Sequence, residues 1–234
     1  MEGNGIDGVT NSFAAAIWFI DFFFECALFG FYDVHYEGHI SSDNFQGVLG
    51  PGPAFQPSSI YYAMIFTILT GNDYPSIVIP SVSGGISSKI KAWGLETVEN
   101  FRVVLLNRDQ NTTLNGVVYV QVQSKPNSLM RCIYMEAPSL SSKGEDITIG
   151  GLKYNPNNST PTGTFNEVAY SYDSLIGGYK VQMRYAQVAS CSIPNANLII
   201  PSISECSFEN YPSIAVLLIA ILCLVGMWNA SFDQ

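Results

Sequence analysis

A chain of 234 residues, 47% hydrophobic and 13% aromatic, is long enough for one large or two small domains and apolar enough to fill a core, which excludes a disordered polymer. Ten Lys and Arg against 19 Asp and Glu give a formal net charge of −9. The cationic surface that neutralises phosphates is missing, so nucleic acid is excluded as a partner.

The chain opens "MEGNGIDGVTNSF", without the basic and apolar regions of a secretory signal. Residues 10–30, "TNSFAAAIWFIDFFFECALFG", begin on an N-cap cluster and end on Gly30, a C-cap residue, which predicts a helix. Apolar residues lie nearly all round it, so it reads as deeply buried, with Trp18 and Phe22–Phe24 in the core. Asp21 and Glu25 are spaced i, i+4 on one stripe of that helix. They need partners, because an unpaired buried carboxylate costs several kcal/mol or is neutralised.

"FYDVHYEG" follows as a short aromatic strand at 31–38. Side chains alternate along a strand, so His35, Glu37 and His39 point the same way. A metal site, a catalytic cluster or the rim of a polar pocket would each use that pattern. A single strand supplies two metal ligands but rarely three at tetrahedral angles. No metal or cofactor is expected. The Gly/Pro/Ser-rich "HISSDNFQGVLGPGPAFQP" is a long loop of the kind that carries function. Ser58 and Ser59 then cap a second helix ending at Gly71. Helix, strand, loop, helix is the rhythm of α/β architecture.

Beyond residue 72 the period changes. "SIVIPSV", "FRVVLLNRD", "GVVYVQVQS", "LMRCIYMEA", "DITIGG", "TFNEVAYSY" and "GGYKVQMRYAQVASCSI" are β-branched or aromatic runs separated by turn clusters. Seven or eight such strands predict an antiparallel β-sandwich over 73–193 and a mainly β protein. Two helices and one strand at 1–72 are too few for a closed barrel or a doubly wound sheet.

Of the five cysteines, Cys26 lies in the apolar helix and Cys223 in the apolar tail, where a thiol behaves as a small hydrophobe. Cys132, Cys191 and Cys206 remain as candidates for one disulfide. Sequons at Asn111, Asn157 and Asn158 sit in polar, turn-rich stretches, as glycan acceptors on an exported protein would. Residues 194–213 read as a linker into the apolar run 214–228, "IAVLLIAILCLVGMW", which is shorter than the roughly 20 residues that span a bilayer. The tail reads as a membrane-associated end, ahead of a buried core helix. The expected location is extracellular or at the cell surface.

Taken together, "GVTNSFAAAIWFIDFFFECALFGFYDVHYEG", "YYAMIFTILTG", "FRVVLLNRD" and "GGYKVQMRYAQVASCSI" resemble glycoside hydrolase family 79, the β-glucuronidase and heparanase-like enzymes, particularly their fungal members. The resemblance implies the last elements of a (β/α)8 barrel at 1–72, with "YDVHYEG" as strand eight and a helix on either side of it, followed by the β-sandwich at 73–193. It implies a carbohydrate ligand, a glucuronide or uronic-acid-containing glycan, and retaining hydrolysis as the parent activity. Barrel active sites lie at the C-terminal ends of strands, which would put His35, Tyr36, Glu37 and His39 at the mouth of the sugar pocket. Where family members carry an aromatic-His-(Glu or Gly)-Gly stretch, this chain has Tyr36-Glu37-Gly38. Tyr61, opening the second helix near the loop rim, is a further contact candidate whose other role is to pack that helix.

Retaining glycosidases use two carboxyls about 5–5.5 Å apart. By the resemblance the acid/base belongs to strand four and the nucleophile to strand seven, both upstream of the stretch matching Gly8-Val9-Thr10. Glu2 is the only carboxylate near the nucleophile's place, several residues closer to Gly8 than the family spacing. These residues alone are therefore expected to be inactive. The alternative is a non-enzymatic cell-surface β-sandwich module that binds carbohydrate or a partner.

Overall fold

The computed structural model describes residues 5–31, 34, 36, 40–41, 48–49, 56–71, 76–80, 89–97, 100–109, 116–121, 129–155 and 160–194. The elements in chain order are α1 (Phe13–Leu28), β1 (Ile40–Ser41), β2 (Val48–Leu49), β3 (Gln56–Pro57), α2 (Ser59–Gly71), β4 (Ser76–Val78), β5 (Ile90–Glu96) and β6 (Asn100–Asn107). They continue with β7 (Gly116–Gln121), β8 (Met130–Glu136), a 3-10 turn (Gly144–Asp146), β9 (Thr148–Ile149), β10 (Lys153–Tyr154), β11 (Pro161–Thr162), β12 (Val168–Tyr170), β13 (Gly178–Met183) and β14 (Gln187–Pro194).

Helix α1 starts as the N-cap cluster predicts. The Ser12 hydroxyl accepts from Ala15 N–H at 3.4 Å, and Gly30, at φ 74°, ends the helix while Phe31 N–H reaches back to the Cys26 carbonyl at 3.0 Å. Two first-turn donors that a helix cannot satisfy internally are satisfied from the β-region. Phe13 N–H bonds the Ser142 carbonyl at 2.7 Å and Ala14 N–H the Leu140 carbonyl at 2.9 Å. Ser58 caps α2 by accepting from Tyr61 N–H at 3.3 Å.

One seven-stranded sheet runs β12-β8-β14-β6-β5-β4, with β9 also on β8, and every pairing in it is antiparallel. Side-chain alternation divides its residues between two cores. Trp93, Leu95, Val104, Leu106 and Val188 face α1 and α2, meeting Phe13, Ile20, Phe24 and Phe66. Ala92, Val103, Leu105, Ala189 and Ile193 face the two-stranded ribbon β7–β13, meeting Val120, Tyr179, Val181 and Met183. A strand covered on both sides has no reason to alternate, which is why "VVLL" in β6 is apolar throughout.

The mainly β fold expected from the sequence is thus present. Among the described residues the second layer of the sandwich is the β7–β13 ribbon, and the other face of the sheet is roofed by the helices. Inside the ribbon-side core, Cys132 and Cys191 stand directly opposite each other on β8 and β14 and form the disulfide. Cys206 lies outside the described residues. Closing a loop of 59 residues restricts the unfolded chain by about 4 kcal/mol in the chain-entropy account.

One expectation about α1 is corrected. Phe23 and Phe24 are buried, but Trp18 is 53% and Phe22 41% exposed. The helix lies on the sheet and α2 with one side, and no described residue covers the other. Of the strand expected at 31–38, Phe31, Val34 and Tyr36 are described, and Val34 and Tyr36 pack against the helix-side core. Within the long loop that follows, β1 and β2 pair in parallel and β2 and β3 antiparallel, a small mixed sheet leading into α2.

Candidate functional site

Of the residues expected at the sugar rim, Tyr36 and Tyr61 are described. The chain enters α2 directly from β3, and Gly144 of the 3-10 turn sets that approach: a Cβ there would meet the Pro57 carbonyl oxygen at 1.8 Å. Only glycine allows backbone to lie on backbone so closely. Tyr61 and Tyr62 then fall in the first turn of α2. Tyr62 is buried, its hydroxyl accepts from Tyr154 N–H at 2.9 Å, and its ring meets that of Tyr154 edge-on at 5.6 Å. Tyr61 contacts the same ring edge-on from 5.7 Å. Burial pushes both phenols above the usual tyrosine range.

Tyr36 packs edge-on against Phe19 of α1 at 5.6 Å, and burial pushes its phenol up to about 12. Tyr36 and Tyr61 are therefore each half-buried in aromatic packing, on α1 and on β10 respectively. His35, Glu37, His39 and Glu2 lie outside the described residues, as do Asn111, Asn157 and Asn158 and the run 214–228. Among the described residues no group of three or more His, Cys, Asp or Glu could hold a metal ion, and no helix is long and apolar enough to cross a membrane.

The polar centre that the structure does assemble is one the sequence reading did not pick out. Lys91 of β5 reaches across to α1, where its Nζ lies 2.7 Å from Asp21 Oδ1 and also bonds Glu25 Oε1. Trp93 Nε1–H donates to the same Asp21 oxygen at 3.0 Å, and the Lys91 ammonium stands 4.5 Å from the centre of the Trp93 ring. Burial works against the charge of Lys91, but the hydrogen bonds and charges of Asp21 and Glu25 outweigh it, and its pKa is raised. The two carboxylates are thereby committed to fastening helix to sheet. The i, i+4 acids signalled a need for a cation, and the cation came from a strand 66 residues away that carries a Lys and a Gly in its run.

No protein-family model matches the sequence, and no curated protein matches it by sequence. Solved structures do match the fold. A 4-O-α-L-rhamnosyl-β-D-glucuronidase from Fusarium oxysporum 12S overlaps 80% of this chain with a TM-score of 0.65 at 14% identity. A glycoside hydrolase family 30 subfamily 8 xylanase from Clostridium acetobutylicum overlaps 78% with a TM-score of 0.50, again at 14% identity. The fold is glycoside hydrolase-like. The chain spans 40% of the length of the first of these structures and 39% of the second.

Set against that fold, the observed contacts have a clear division of labour. The disulfide and the ribbon hold the β-region together, while the Lys91 cluster, the Gly144–Pro57 contact and the Tyr62–Tyr154 bond fix α1 and the start of α2 to it.

Proposed function

We propose that the chain is the C-terminal part of a family 79-like, β-glucuronidase-type glycosidase, contributing closing elements of the barrel, the loop at the pocket mouth and the companion β-domain. The observation that carries this reading is the fold overlap with the Fusarium glucuronidase across four-fifths of the chain. The family patterns in the sequence supply the rest. His35, Tyr36, Glu37 and His39 contact the uronic acid, and the acid/base and nucleophile are provided by barrel strands that these residues do not include. The Cys132–Cys191 bond, at home in an oxidising compartment, supports an exported or cell-surface protein.

Purified chain incubated with 4-nitrophenyl β-D-glucuronide should release no nitrophenol above the blank, while D-glucuronic acid should shift NMR signals of the chain and lose that effect in Glu37→Gln. Turnover that disappears in Glu2→Gln or Glu37→Gln would show that a working carboxylate pair resides within these residues. Absence of any glucuronate response would remove the pocket-mouth assignment.

A further inference from the structure

The two-stranded ribbon β7–β13 has one face in the core and one turned outward. Tyr119 stands opposite Lys180 and Val117 opposite Gln182, with Gln121 next along β7, whereas Val120, Tyr179, Val181 and Met183 alternate with them and pack on the sheet. Tyr119 is 53% exposed, and Gln121, Lys180 and Gln182 are exposed beside it. This face lies across the sheet from α1 and α2, so chain added beside the helices is added to the opposite side of the sheet.

The chemistry of the face runs against that of the chain. Nineteen Asp and Glu stand against ten Lys and Arg overall, yet neither strand of the ribbon carries a carboxylate. Lys89, Lys91 and Lys143 pair with acids, and Lys153 bonds the Glu145 carbonyl. Of the described lysines, Lys180 alone has no hydrogen bond or ion pair within the chain. Directly opposite residues of an antiparallel pair have Cβ atoms about 5 Å apart and diagonal ones about 7–8 Å. The Tyr119 ring, the Lys180 ammonium and the Gln182 amide are therefore within reach of one ligand ring. Gln121 donates through Nε2 to the Ile176 carbonyl at 3.1 Å, which holds its amide in place and leaves Oε1 to accept.

An exposed phenol ring suits the C–H side of a sugar, amides bond hydroxyls, and an unpaired ammonium takes a carboxylate. At the rise and spacing of antiparallel strands the face measures about 20 Å by 10 Å. That is about a quarter of the roughly 800 Å² that each partner gives to a standard protein interface, which favours a ligand one chain wide over a second protein. We propose that the outer face of β7–β13 binds a segment of a uronic-acid-containing glycan, with a sugar ring on Tyr119, the uronate carboxylate on Lys180 Nζ and hydroxyls on Gln121 and Gln182. The choice of a glycan over an acidic peptide rests on the glycosidase reading above, while the ring, the cation and the amides stand without it. Attachment there gives the whole enzyme a second hold on a polymeric substrate.

The test uses the full chain and isothermal titration calorimetry with polygalacturonate. Binding should weaken as salt is raised and fall by about tenfold in Lys180→Gln and in Tyr119→Ala, while Tyr119→Phe, which keeps the ring, stays near the parent. Both side chains are exposed, so the variants should keep the parent's circular dichroism. Methyl-esterified polygalacturonate, its charge removed, should bind the parent as weakly as polygalacturonate binds Lys180→Gln. No binding by the parent, or equal affinity in Lys180→Gln and Tyr119→Ala, overturns the proposal. Poly-L-glutamate bound as tightly overturns it in favour of an acidic peptide. The D-glucuronic acid response of the pocket mouth is read separately and should persist in both ribbon variants. If the parent lacks that response but binds polygalacturonate through Tyr119 and Lys180, the pocket-mouth assignment fails and the ribbon site stands.

Discussion

Replacing Lys91 by Met isolates what the helix–sheet fastening is worth. Methionine keeps most of the aliphatic length of Lys91 and removes the ammonium from between Asp21 and Glu25 and from over the Trp93 ring. At 2.7 Å and an effective dielectric of about 20, the gross attraction to Asp21 alone is about 6 kcal/mol, most of it offset by desolvation. The side chains of Lys91 and Asp21 are 24% and 20% exposed, which sets the pair between the surface regime of at most about 1 kcal/mol and the buried regime of about 3–5 kcal/mol for removal of one partner. The expected loss is therefore about 2–3 kcal/mol, or a fall in Tm of about 5–10 °C for a chain of this size. Thermal unfolding followed by circular dichroism at neutral pH and low salt measures it. Asp21→Asn, which retains an acceptor for Trp93, should cost less, and the double-mutant cycle should show a coupling of about 1–2 kcal/mol. An unchanged or raised Tm in Lys91→Met, or a coupling near zero, would refute the argument that this cluster holds α1 to the sheet.

Gly144→Ala should destabilise by about 3 kcal/mol, because the new methyl group meets the Pro57 backbone carbonyl rather than a yielding side chain; a urea midpoint within error of the parent would show that the 3-10 turn can move aside. Stability should fall as the pH rises above 10. The phenols of Tyr36, Tyr61, Tyr62 and Tyr154 lie above their ordinary value of 10.0 in the folded chain because of burial. The unfolded state therefore loses protons first as pH rises through 10, and stability drains away up to the folded value, about 12 for Tyr36. The raised pKa of Lys91 acts with the same sign. Phenolate absorbance checks this: ionisation of these tyrosines near pH 10 in still-folded protein would contradict the burial.

Local signals were legible in the sequence wherever the chain settles its own conformation. Ser12, Gly30 and Ser58 sit at helix ends because their side chains or backbone freedom complete those ends, and nothing distant is needed to see it. Strand β5 escaped notice because "IKAWGLE" places a Lys and a Gly inside the run. The Lys is tolerated only because two carboxylates on α1 receive it. Likewise the pairing of β7 with β13 joins residues about 60 positions apart, and no local pattern distinguishes it from membership of the larger sheet. The exposure of Trp18 and Phe22 could not be read either, since a helix apolar on all sides implies a cover without saying whether the described residues provide it.

These cases share a cause that bears on how the segments relate. The sheet is apolar on both faces, and the face away from the ribbon would be left in water without α1 and α2. The helices in turn take their first-turn hydrogen bonds, their counter-ion and a tyrosine contact from the β-region. Neither segment has a finished surface at their boundary without the other, so the core continues across residue 72 where the sequence period changes. The two helices are then held in place by the β-region, and each end of the segment between them leaves from an element that the β-region fixes.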